Sequence, residues 1–174
     1  MNLDKRLKAK ELRKKDTKEL LQMFSEIQRE HNMKTKIKYR IWHKPKNIMY
    51  PVTCIWWDDK GNIEALEVPN PDNKNESIIF DSDDGDFKNI VIMKFTGIWD
   101  KEQNEIYEDD IIEWEVTKKS KWLYNVYFDY EFGRWLANPI SSTPRQVESD
   151  MIWKKSRVIG NIWKNADIYV ANKL

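Results

Sequence analysis

The side chains able to act as acids, bases, nucleophiles or ligands are few and scattered. Only two histidines occur in 174 residues, His31 and His43. One falls near the end of an expected helix and the other beside a turn, and partners for a triad or a metal site cannot be placed around either. Cys54 is the single cysteine. It lies beside Ile55 and Trp56, where a thiol behaves as a small apolar group. One cysteine excludes an internal disulfide framework and fits a reducing compartment. The acidic run Asp81-Ser82-Asp83-Asp84-Gly85-Asp86 invites a calcium reading. With Gly85 in the sixth place of such a loop, Phe80 falls first and Val91 twelfth, so the template fails and a solvated loop is expected. The pairs Asp58-Asp59 and Asp109-Asp110 fall in turns, where Asp is favoured for local backbone hydrogen bonds. Five glycines leave no phosphate-cradling loop. No catalytic residue, metal site or cofactor is therefore expected.

The remaining chemistry is aromatic and cationic. Nine tryptophans (42, 56, 57, 99, 114, 122, 135, 153 and 163) accompany seven Tyr and six Phe. Stacking platforms for single-stranded nucleic acid combine such rings with a basic groove. Most of these rings lie in an acidic stretch, so most are expected in a core, with two or three as surface anchors. Consecutive Trp56 and Trp57 point to opposite faces of a strand, so one must leave the core as a contact. Charge divides unevenly. Residues 1–40 carry 13 Lys/Arg against six Asp/Glu, a net +7, while the remainder carries −6. Lys5, Arg6, Lys8, Lys10, Arg13, Lys14 and Lys15 could neutralise several phosphates. The preferred reading is a solubilising face that docks on the acidic body, because that body would repel an approaching nucleic acid.

These groups must be positioned by two kinds of element. Residues 1–33 contain neither Gly nor Pro. Leu3, Leu7 and Lys8–Arg13 suit a short helix. Asp16 with Glu19 three residues on forms a capping-box signal. Leu20, Leu21, Met23, Phe24 and Ile27 then recur at helical spacing, predicting a second helix from Asp16 to Glu30 whose apolar stripe needs a partner surface. From Thr35 the period becomes two: Ile37, Tyr39 and Ile41 alternate with Lys36, Lys38 and Arg40. Strands are expected at Met49–Trp57, Ile63–Val68, Ile78–Phe80, Ile90–Phe95, Ile111–Val116, Trp122–Asp129, Arg134–Ala137 and Arg157–Trp163. Asn138–Ser156 reads as a long loop. No internal repeat is evident. Short strands with hairpin punctuation predict an antiparallel barrel or sandwich. The boundary falls at residue 34, giving a basic α-helical segment over 1–34 and a β domain over 35–174. No apolar run approaches the ~18 residues of a membrane span, and the opening residues lack a signal-peptide pattern, so a cytoplasmic protein is expected.

Several blocks resemble the YopX family of bacteriophage and prophage proteins. They are Lys38-Tyr39-Arg40-Ile41-Trp42 with Met49-Tyr50, Ile92 to Lys101 (IMKFTGIWDK), Glu105 to Ile112 (EIYEDDII) and Val158 to Trp163 (VIGNIW). Asp109 stands where that family usually has Gly, Ala166 where Pro is common, and His43 where Asp is frequent. The resemblance implies an antiparallel β fold around a small SH3-type barrel, a phage or prophage origin and no established activity. Residues 8–30 also resemble the helical-hairpin protein of the large ribosomal subunit. The expected function is a non-enzymatic binding or assembly module toward a host or phage protein, with homo-oligomerisation. Its contacts are Leu20, Phe24, Ile27, Trp56 and Trp57. RNA or DNA binding through residues 1–34 is the alternative.

Overall fold

The computed structural model describes residues 17–34, 37–117, 120–140 and 153–171. The chain divides into two compact units, Met1–Lys36 and Ile37–Leu174. In the first, α1 (Thr17–Lys34) is an 18-residue helix. It starts one residue after the expected cap and runs a turn beyond the expected end, since neither Gly nor Pro follows Glu30 to stop it. The other helix of the expected hairpin, over residues 3–13, lies outside the described residues. So do Lys5, Arg6, Lys8, Lys10, Arg13, Lys14 and Lys15.

The second unit is mainly β, with antiparallel strands curling into a half-barrel. In chain order the strands are β1 (Tyr39–His43), β2 (Ile48–Pro51), β3 (Cys54–Trp57), β4 (Ile63–Pro69), β5 (Ser77–Asp81), β6 (Ile90–Trp99), β7 (Glu105–Tyr107), β8 (Asp110–Thr117), β9 (Ser120–Asp129), β10 (Arg134–Pro139) and β11 (Ser156–Asn161). A six-residue helix, α2 (Ala166–Ala171), follows. Three sheets result, with strand orders β2-β1-β6-β7, β10-β9-β8-β11 and β3-β4-β5. The expected strand Met49–Trp57 is in fact two strands in different sheets. Pro51 lacks the N–H that a ladder needs. The Val52 N–H donates to Tyr39 O in the first sheet, and the Thr53 N–H to Glu67 O in the third, so the chain changes sheets between them.

Both faces of the first sheet are packed. Ile41, Tyr50 and Ile90 join Leu66, Val68 and Phe80 of the third sheet in one core cluster. Trp42, Met93, Phe95 and Tyr107 form a second cluster on the opposite face. Ile106 enters the third, with Ile112, Tyr124, Val126, Ala137 and Trp153. Of the tryptophans, Trp42 and Trp153 are buried and Trp114, Trp122 and Trp135 pack half-buried against the third cluster, while Trp56, Trp57, Trp99 and Trp163 are exposed. Trp153, in the expected loop, is 2% exposed.

The charged face of β1 is likewise not a solvent face. Lys38 pairs with Glu105 and lies 5.7 Å from the centre of the Phe95 ring. Arg40 pairs with Asp110 and sits 4.4 Å from the centre of the Tyr107 ring. Asp110, 1% exposed, also accepts the Tyr107 N–H at 2.8 Å and the Asn161 amide at 3.5 Å. Burial pushes its carboxyl upward, and Arg40 with the Tyr107 amide pulls it back. This ion pair ties the first sheet to the second.

Two hairpins share one build that the sequence reading missed. In Trp57-Asp58-Asp59-Lys60-Gly61-Asn62 and Trp99-Asp100-Lys101-Glu102-Gln103-Asn104 the Asp N–H donates to the Asn carbonyl at 2.9 Å. One Asp oxygen accepts the N–H groups two and four residues on, and the other accepts the Asn side-chain amide. The fifth position has positive φ, 81° at Gly61 and 66° at Gln103. Asp100 alone takes a further bond, from Val158 N–H at 2.9 Å on β11. These donors outweigh burial and hold its carboxyl below the ordinary range.

Arg40→Ala leaves Asp110 buried without its counter-charge, and a loss of about 3–5 kcal/mol is expected in denaturant titrations. Asp100→Ala should cost about 2 kcal/mol, because four donors, one of them on β11, lose their buried acceptor. Asp58→Ala in the exposed copy of the turn should cost visibly less.

Candidate functional site

Among the sequence-selected contacts, Leu20 is half-buried and Phe24 and Ile27 are exposed on α1. Trp56 and Trp57 are 40% and 51% exposed, so both leave the core rather than one. The pairing with β4 is irregular here: Trp56 opposes Ala65 while Trp57 opposes Ile63, leaving Glu64 as the extra residue on β4. The structure separates the two functionally, because Trp57 but not Trp56 lines a cleft.

That cleft has a volume of about 670 Å³ and is lined by all three sheets. β1 contributes Tyr39, and β6 contributes Ile92 and Lys94. Tyr39 and Lys94 are direct cross-strand partners, so they share a face. The β3–β4 hairpin brings Trp57, Gly61, Asn62 and Ile63. β9 and β10 bring Phe128 and Trp135, also cross-strand partners, with Tyr130 just beyond β9. Phe128 meets Tyr130 and Trp135 edge-on, each with centroids 5.0 Å apart. Tyr130 is 83% exposed, as befits a hairpin tip, and Phe132 beside it is exposed as well.

Glu108 supplies the cleft's carboxylate. It sits in the β7–β8 turn, anchored on one side by its N–H to Lys94 O at 2.9 Å. Asp109 follows with φ 64°, keeping the left-handed turn that Gly would serve, and donates its N–H to Val126 O at 2.8 Å. The Asp109 side chain accepts Trp163 Nε1 at 2.7 Å. Burial, then the Asp109 charge, raises the Glu108 carboxyl above its ordinary value. Lys94 offsets this in part, with its ammonium 5.6 Å from the Phe128 ring centre. Tyr39 is raised too, by burial and by its neighbours Tyr130 and Glu108.

Other chemical candidates are not among the residues that line this cleft. His43 packs against Phe80 and Tyr50 with centroids at 5.3 and 6.5 Å, and burial lowers its pKa. His31 lies in α1, and Cys54 is half-buried in β3. Asp81 to Asp86 forms local turns, with the Asp83 N–H on Asp81 Oδ1 at 2.8 Å and Gly85 at φ 73°. Among the described residues no group of three or more His, Cys, Asp or Glu could hold a metal ion. A second cavity of about 350 Å³ contains Arg40 and Asp110, but these serve each other. There a Cβ added to Gly160 would stand 2.7 Å from Asn165 Oδ1, so close approach requires glycine. The aromatic cleft was missed because its members come from six separate strands and three turns. The Trp-Asp turn at Trp57, repeated at Trp99, was the available signal.

The fold is thus a mainly β, antiparallel half-barrel that carries an aromatic cleft. The family model for the YopX protein matches residues 38–168, so the chain belongs to the YopX family. The ribosomal likeness of residues 8–30 is not borne out. No curated protein matches the chain. The crystal structure of protein EF1440 from Enterococcus faecalis superposes with a TM-score of 0.56 at 23% identity, covering 77% of this chain and 98% of that one, and shares its fold. No helix among the described residues is long and apolar enough to cross a membrane.

Glu108→Gln provides a direct check of the cleft's electrostatics. A carboxyl with a raised folded-state pKa penalises folding while it is ionised. The variant is therefore expected to be slightly more stable than the parent above that pKa. The gain should shrink as pH falls through the folded-state pKa and vanish below the ordinary value of 4.5, where both states are protonated. Denaturant midpoints at several pH values would show it.

Proposed function

We propose that the chain is a non-enzymatic binding module of phage or prophage origin that recognises a host or phage protein through the aromatic cleft. One observation carries this reading: five aromatic side chains converge on a cleft with a single carboxylate and a single lysine. Trp and Tyr dominate the energetics of protein interfaces, because large rigid rings lose little conformational entropy on binding. The exposed Phe132 extends the surface beyond the cleft. An SH3-type barrel, implied by the family resemblance, suits the same role, and the curled half-barrel supports it. Leu21, Phe24 and Ile27 on α1 offer a separate apolar stripe for assembly of copies.

A photo-crosslinking residue at position 132 of the full-length chain tests the reading in lysate of infected or lysogenic cells. The expected result is one recurrent protein adduct, weakened about tenfold or more by Trp57→Ala. An adduct of doubled chain mass would identify a second copy as the partner. Adducts indifferent to Trp57→Ala would remove the cleft from the reading. Salt-sensitive oligonucleotide binding lost on deleting residues 1–34 would favour the nucleic-acid alternative.

A further inference from the structure

We infer that the cleft's occupant is a basic side chain, lysine or arginine, on an exposed peptide segment of the partner, with Glu108 as its counter-ion. This deepens the protein-binding reading above and rests on it. Three observations converge. The first is the composition of the cleft, where Tyr39, Trp57, Phe128, Tyr130 and Trp135 surround a space that also holds the Glu108 carboxylate. Aromatic faces attract cations through their quadrupole, and the attraction grows where water is excluded. The second is that rings of this region already hold cations of the chain itself. Lys94 Nζ lies 5.6 Å from the Phe128 ring centre, and the Arg134 guanidinium 5.1 Å from that of Phe132.

The third is charge complementarity. The β3–β4 tip carries Asp58, Asp59 and Lys60, the β9–β10 tip Asp129, Glu131 and Arg134, and the β7–β8 turn Glu108 and Asp109. With Lys94 these make six carboxylates against three cations. Lys38 and Arg40 lie on the opposite face of β1 and are paired with Glu105 and Asp110, and Arg40 also acts on Asp109, so Glu108 is the carboxylate of that turn left to the cleft. A phosphate backbone would meet net repulsion, whereas a basic side chain would not. Glu108 itself is held with its carboxyl raised by burial and by Asp109. An incoming cation relieves both penalties at once, because it restores the attraction that lost solvent provided.

Fluorescence anisotropy on the full-length chain tests this with three labelled octapeptides, identical except for a central Lys-Lys, Glu-Glu or Leu-Leu pair. The Lys-Lys peptide is expected to bind at least tenfold more tightly than the other two. Glu108→Gln should weaken it fivefold or more while circular dichroism stays unchanged. Trp57→Ala and Tyr130→Ala should weaken it similarly, and Glu76→Gln, an exposed acid away from the cleft lining, should leave it as in the parent. Preference for Leu-Leu, or equal affinity for all three, would overturn the cation assignment and leave the cleft as a protein site, provided the crosslink at position 132 still depends on Trp57. Lys-Lys binding that Glu108→Gln leaves intact would overturn it, as general attraction to acidic surface. Failure of all three to bind, or displacement of the Lys-Lys peptide by oligothymidylate, would overturn it too.

Discussion

A buried charge pair joins the layers of this molecule. Asp110 begins β8 and Arg40 stands in the middle of β1, 70 residues apart in sequence. Burying both charges is costly, and such a cost is met only when each finds a well-placed partner and the remaining lone pairs are occupied. Here the Tyr107 amide and the Asn161 side chain occupy them, and the Tyr107 ring covers the guanidinium. The pair also selects geometry. Removing either partner leaves an isolated charge, so the first and second sheets can dock in few other ways. The turn at Glu108 and Asp109 immediately precedes Asp110. Its position, and hence the carboxylate at the cleft, follows from where that pair holds β8.

Legibility from the sequence followed the range of the interactions. The change of hydrophobic period near Thr35 located the start of the β region, and most strands fell within a residue or two of expectation, as with Ile63–Pro69 and Arg134–Pro139. These are local properties of alternation and turn residues. Errors arose where non-local packing decides. Nothing in the run Met49–Trp57 states that its two halves belong to different sheets, although Pro51 hinted at the break. Trp153 looked like a loop residue among polar neighbours, yet it fills the third core cluster. The short strand Glu105–Tyr107 was passed over because three residues carry no readable period.

The candidate site was legible only in part. Trp57 was singled out because adjacent tryptophans cannot share a face, and it does line the cleft. The pairing irregularity at Glu64, opposite the two tryptophans, is invisible in the sequence. Glu108 carries no signal of its own in the sequence, and it meets Lys94 and Phe128 only through the placement of β6 and β9. The helix-face residues Leu20, Phe24 and Ile27 were found by periodicity, but periodicity does not say what covers a stripe.

The sheet orders have a consequence for behaviour at high concentration. Among the described residues the three sheets end in six lateral strands, and an uncovered one is a template onto which a stray chain could add. Some are blunted: β2 and β10 end in proline, and β3 and β11 carry register irregularities. β5 has neither device, and its Ile79 is 57% exposed. Aggregation by edge pairing would begin there, and a lysine at that position would be the least invasive remedy.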